Sequence, residues 1–143
     1  MAPSDKQDNL TEIKLAQWQT CVEMANAVSE RRDNMNNLFV TVNLALAAAI
    51  SFVWSVKTIT LLAAGVIECI IWAAFINNYK NLNRAKFAII AELEKQLPTQ
   101  PFNDEWKIVK EKKYIRSTKL ELIMPIAFIV LYVVLFFLLN LYK

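Results

Sequence analysis

Residues 36–78 read NNLFVTVNLALAAAISFVWSVKTITLLAAGVIECIIWAAFINN, and this stretch decides the fold. It holds two apolar runs, Leu38–Trp54 and Val56–Ile76, joined by a minimal link around Lys57. A helix rises about 1.5 Å per residue, so each run is long enough to cross roughly 30 Å of hydrocarbon. The pattern predicts a membrane hairpin. Two side chains inside it are costly in lipid: Asn43 in the first run and Glu68 near the middle of the second.

Outward from the hairpin, both helices are expected to continue into water. Upstream, Leu10, Ile13, Trp18, Cys21, Val22, Ala25 and Val28 recur at helical period, with Glu12, Lys14, Glu23 and Glu30 on other faces. No Pro or Gly separates this stripe from the first span, so one helix, or two nearly collinear ones, is expected over about residues 10–54. Downstream, Tyr79, Leu82, Ile89, Ile90, Leu93 and Leu97 extend the second helix to about Leu97, where Pro98 and Pro101 stop it. The two extensions leave the hairpin side by side and are expected to pack antiparallel as a helical bundle.

Two segments complete the chain. Asn103 is placed to cap a short helix with Asp104 and Glu105 in its first turn, anchored by Trp106, Ile108 and Val109. Thr118 and Glu121 have capping-box spacing ahead of a third apolar run, Leu122–Leu141. That run carries large side chains (Phe128, Tyr132, Phe136, Phe137) and is expected on the lipid-facing outside, with the small-residue hairpin (Ala45, Ala47, Ala48, Ala49, Gly65) inside. The expected fold is thus all-α: an integral membrane protein with three transmembrane helices and a cytoplasmic bundle formed by extensions of the hairpin. Its parts are residues 1–36, the hairpin 37–77 (about 38–54 and 56–76), a cytoplasmic segment 78–121, and the third span 122–143.

Charge orients these parts. Of 16 Lys and Arg, all but Lys57 and Lys143 lie in residues 1–36 or 78–121. By the positive-inside rule those segments are cytoplasmic, and the hairpin turn and C-terminus are outside. The polar start, MAPSDKQDNL, leads into no cleavable signal, so the first span is expected to serve as the insertion signal.

The composition narrows the chemistry. Without His, imidazole acid–base catalysis and most transition-metal sites fall away. Cys21 and Cys69 are read as reduced packing residues. No phosphate loop, activated nucleophile or ligand cluster is legible, so neither an enzyme nor a cofactor is expected. Glu92 and Glu94 beside Lys95 read as surface pairs. The basic run Lys107, Lys110, Lys112, Lys113, Arg116 and Lys119 reads as a solvated, membrane-proximal segment, with contact to anionic headgroups as its functional alternative. No groove-reading motif accompanies it, so nucleic acid is not an expected partner.

The candidate site is therefore the polar set on the spans: Asn36, Asn43 and Glu68. Two roles stand open on the residues. Buried and protonated, Glu68 would be a structural hydrogen-bond donor, for example to Asn43 on the facing helix. Repeated around an oligomer, Asn43 and Glu68 would form rings lining a cation path. Small-residue faces favour self-association, and the bundle offers a surface for a cytoplasmic protein partner.

Two stretches, Met24–Phe52 (MANAVSERRDNMNNLFVTVNLALAAAISF) and Tyr79–Trp106 (YKNLNRAKFAIIAELEKQLPTQPFNDEW), resemble the RipA family of octameric bacterial inner-membrane proteins. The first, with its Ser-x-Arg-Arg segment running into an Asn-bearing span, also resembles SLATT-type membrane effectors. The second is the more specific, through Asn83, Lys86, Glu94, Leu97, Pro98 and Trp106. The resemblance implies an octamer in the inner membrane. It implies a role in intracellular growth and pH adaptation on the RipA side, or in pore-forming defence on the SLATT side. The third span departs from the two-span plan of the SLATT group.

Overall fold

The computed structural model describes residues 3–52, 58–111 and 117–141, with side chains from residue 8 onward. Four helices carry its regular structure: α1 (Pro3–Phe52), α2 (Thr58–Glu94), α3 (Pro101–Glu111) and α4 (Ser117–Leu141). Three of them, α1, α2 and α4, are long and apolar enough to cross a membrane. The 50 residues of α1 and 37 of α2 amount to about 75 and 55 Å of helix, well beyond the roughly 30 Å of hydrocarbon. The uninterrupted helices expected from the missing Pro and Gly are present. The expected hairpin turn, with Trp54 and Lys57, lies outside the described residues.

The chain divides into two compact units, Met1–Glu30 with Tyr79–Ile115, and Arg31–Asn78 with Arg116–Lys143. α1 and α2 each contribute to both. Within the spanning unit, Arg32 and Asn36 of α1 bond to Glu121 of α4.

In the first unit, Ala25 and Val28 of α1 and Ile90 of α2 are buried. Asn83 Nδ2 donates to Ser29 Oγ at 3.4 Å. The start of the α1 stripe is not covered: Leu10 and Ile13 are about half exposed.

α3 differs from its expected form in start and anchor. It begins at Pro101, where a missing N–H costs nothing at the first helical position. Asn103 therefore sits inside the first turn instead of capping it. The cap comes from the end of α2. Both oxygens of Glu94 accept backbone N–H groups, from Phe102 at 3.0 Å and from Asn103 at 3.2 Å. A carboxylate there satisfies orphan donors and lies at the positive end of the helix dipole. Glu94 is fully buried, which corrects its reading as a surface pair; Glu92 alone pairs with Lys95, in the open. The anchor is Phe102, whose ring lies 5.8 Å from Trp18 and 6.0 Å from Phe87. Trp106 and Ile108, the expected anchors, are about half exposed.

Glu94→Ala should free the start of α3. Two bonds to a buried charged acceptor are worth about 1–3 kcal/mol or more, so tryptic cleavage at Lys107 and Lys110 should rise on the order of tenfold. Glu92→Ala should leave that rate unchanged, since an exposed pair contributes little.

Candidate functional site

The polar side chains of the spanning unit form two layers, separated by aromatic rings. The first layer joins α1 to the start of α4. Arg32 Nε donates to Glu121 Oε2 at 2.7 Å, and Arg32 Nη2 bonds to Glu121 Oε1, giving a two-point ion pair. Asn36 Nδ2 donates to the same Glu121 Oε2 at 3.3 Å, and Asn36 Oδ1 accepts from Trp72 Nε1 at 2.8 Å. Arg32 and Asn36 are one turn apart on α1, so a single carboxylate holds both. Glu121 was expected to close a capping box with Thr118; it reaches across to α1 instead.

The aromatic layer comes next. Phe39 and Trp72 stack with centroids 5.6 Å apart and planes 8° apart. Trp72 and Phe128 are 6.4 Å apart, as are Phe128 and Tyr132. All three spans contribute, and the rings fill the space between the polar groups.

The second layer is centred on Asn43, which is completely buried. Its Nδ2 donates to the Phe39 carbonyl at 2.9 Å and to Glu68 Oε2. Its Oδ1 accepts from Tyr132 OH at 2.7 Å and from Cys69 Sγ at 3.3 Å. A carboxamide has two donor hydrogens and two acceptor lone pairs, and all four are used. The Phe39 carbonyl can only accept, so it sets which end of the amide faces it. One residue of α1 thus binds its own helix, α2 and α4 together.

Tyr132 reaches Asn43 because α2 has no side chain in the way. A Cβ on Gly65 would lie 2.6 Å from Cε2 and Cζ of the Tyr132 ring. Gly65 is thus required by close approach, with an ordinary helical backbone. Tyr132, assigned by its bulk to the lipid side, is 1% exposed and sits in a cluster with Ile50, Leu62 and Cys69. Its hydroxyl was the signal: an O–H in the middle of a span needs a partner. Phe128, also assigned to the lipid side, is part-buried against Trp72 and Tyr132, whereas Phe136 and Phe137 are exposed.

Of the residues singled out in the sequence, Asn36, Asn43 and Glu68 are brought into this system. Asn36 is half-buried in the first layer, and Asn43 forms the centre of the second. Glu68 lies against Asn43 with its Oε1 buried and without a hydrogen-bond partner among the described residues. Of the basic run, Lys107, Lys110 and Lys119 are exposed, and Lys107 pairs with Asp104 at 2.7 Å. Lys112, Lys113 and Arg116 lie outside the described residues. Arg32, Glu121, Gly65 and Tyr132 complete the constellation. Among the described residues no three His, Cys, Asp or Glu side chains are grouped to hold a metal.

Three long apolar helices tied by buried polar contacts define a polytopic α-helical membrane protein. The chain belongs to the octameric membrane protein family (8xMP), whose description it matches over residues 15–142. No curated protein and no solved structure matches it.

Removing the hub should loosen all three spans at once. Tyr132→Phe should cost about 0.6 kcal/mol, the average for a hydrogen bond between membrane helices, and no more than about 1.7 kcal/mol. Asn43→Ala should cost more, by on the order of 1–2 kcal/mol, because it strands Tyr132, Cys69 and Glu68 together. In the double variant the losses should be less than additive, as read by reversible unfolding in mixed micelles.

Proposed function

We propose that the chain assembles as an octamer in the bacterial inner membrane, N-terminus in the cytoplasm, as a non-catalytic and non-conducting scaffold. Its first unit would bind a cytoplasmic protein. One observation carries this reading: the hydrogen-bonding capacity of Asn43 is spent inside a single protomer. Some polar side chains on the outer faces of the spans are locally satisfied. Thr41 and Ser51, for example, donate to carbonyls one turn back on α1, at 2.8 and 2.9 Å. An ion path needs polar groups facing water, and Asn43 has none to spare.

Family membership supports the octamer, and the charge distribution supports the orientation. The half-exposed Trp106 and Ile108 on α3 offer a docking surface for the partner. The exposed Lys107, Lys110 and Lys119 suit contact with anionic headgroups as a secondary role. The likeness to RipA proteins favours a part in stress or pH adaptation over the pore-forming defence associated with SLATT effectors.

A pore is the second reading, and Glu68 favours it. A carboxyl in mid-span with one oxygen lacking a partner among the described residues is the kind of group that a water-filled axis would satisfy.

Purified protein in planar bilayers decides between the two. The scaffold reading expects no current above the lipid background, in wild type and in Glu68→Gln alike. A cation current that falls or changes selectivity in Glu68→Gln would establish the pore. The scaffold reading further expects Trp106→Ala to abolish function and partner co-purification while the oligomer survives.

A further inference from the structure

We infer that neighbouring copies join through two different faces of the spanning unit: the outer face of α1 packs into the groove between α2 and α4 of the next copy. The groove is open and apolar, about 500 Å³, lined by Leu62 and Val66 of α2 and by Tyr132, Val133, Phe136 and Phe137 of α4. The outer face of α1, turned away from α2 and α4, carries Ala45, Ala48 and Phe52, all exposed. A ring of more than two copies needs two complementary patches, not one patch meeting itself. In lipid, small residues let a helix sit deep in such a groove.

The two faces lie at matching heights. The bonded pairs Arg32–Glu121 and Asn43–Tyr132 have the same sequence separation, 89 residues. α1 and α4 therefore run parallel and in constant register. Adding 89 to Ala48 gives Phe137, and adding it to Ala45 gives Val134, beside Val133. A rotation about the membrane normal leaves height unchanged, so the alanine face of one copy meets the groove of the next at its own level.

Charge agrees at the rim. Lys119 and Phe137 are eighteen residues apart on α4, five turns at 3.6 residues each, so Lys119 heads the face that lines the groove. On α1, Asp33 lies within about one turn of Lys119 in height by the same register. Both are exposed, and neither has an ion-pair partner among the described residues. Asp33 lies about 60° around α1 from Ala48, at the edge of the alanine face, so one copy's Asp33 and the next copy's Lys119 are complementary charges at the edge of the contact.

The contact presupposes the octameric ring proposed above, so the experiment reads both. In a Cys21→Ser background, with Cys69 buried, Ala48→Cys with Phe137→Cys should cross-link on mild oxidation in native membranes into a ladder reaching eight copies. Ala48→Cys with Ile126→Cys should not, because Ile126 lies eleven residues below that level. Asp33→Lys should lower the octamer population roughly fivefold, and Asp33→Lys with Lys119→Asp should restore it. An intact wild-type octamer with no Ala48–Phe137 cross-link would overturn this interface while leaving the octamer standing, as would dimers formed by Ala48→Cys alone. Retention of lipid in the groove of an uncross-linked octamer would do the same. A monomeric wild type by native mass measurement would overturn the octamer and the interface together.

Discussion

A carboxamide buried in hydrocarbon has four hydrogen-bonding positions and no water to fill them. Asn43 solves this with a backbone carbonyl of its own helix, the carboxyl and thiol of Glu68 and Cys69 on α2, and the hydroxyl of Tyr132 on α4. Apolar packing alone is a weak guide to register in a membrane, because lipid tails contact a leucine as well as another leucine does. The Asn43 contacts are directional. They set the rotation and height of three helices relative to one another, and Gly65 exists where it does so that Tyr132 can arrive.

The Arg32–Glu121–Asn36 layer repeats the principle near the start of α4. A two-point guanidinium–carboxylate pair fixes α4 against α1, and the Asn36 amide passes the constraint to Trp72 on α2. With polar clamps at two heights and stacked rings between them, the spanning unit has little freedom to slide. Such rigidity suits a subunit that presents fixed faces to its neighbours. It suits less well a helix that must turn Asn43 toward a water-filled axis, since that turn would strand several partners.

The first unit is built by different rules. There the directional element is the buried Glu94, which ends α2 and caps α3 in one step. Read linearly, Glu94 looks like one member of an acidic pair beside Lys95. Only the return of the chain through Pro98 and Pro101 brings the α3 amides over it. Phe102 displaced Trp106 as the anchor for the same reason: the cap fixes the first turn of α3, and the first turn carries Phe102.

The sequence by itself determined the helix content, the three spans, the absence of a break between spans and their extensions, and the identity of the costly residues Asn43 and Glu68. These follow from quantities local to the chain: apolar length, helical period, and the cost of a polar group in lipid. The octameric membrane protein family that the chain belongs to agrees with the octameric, membrane-embedded character implied by the resemblance of two stretches. Tertiary structure alone decided which groups those residues meet. Tyr132 belongs to the core and not to the lipid side, Glu121 clamps Arg32 instead of capping its own helix, and Glu94 is buried. Each depends on the rotation of one helix against another. That rotation is set by hydrogen bonds between residues up to 89 positions apart, beyond the reach of any local pattern.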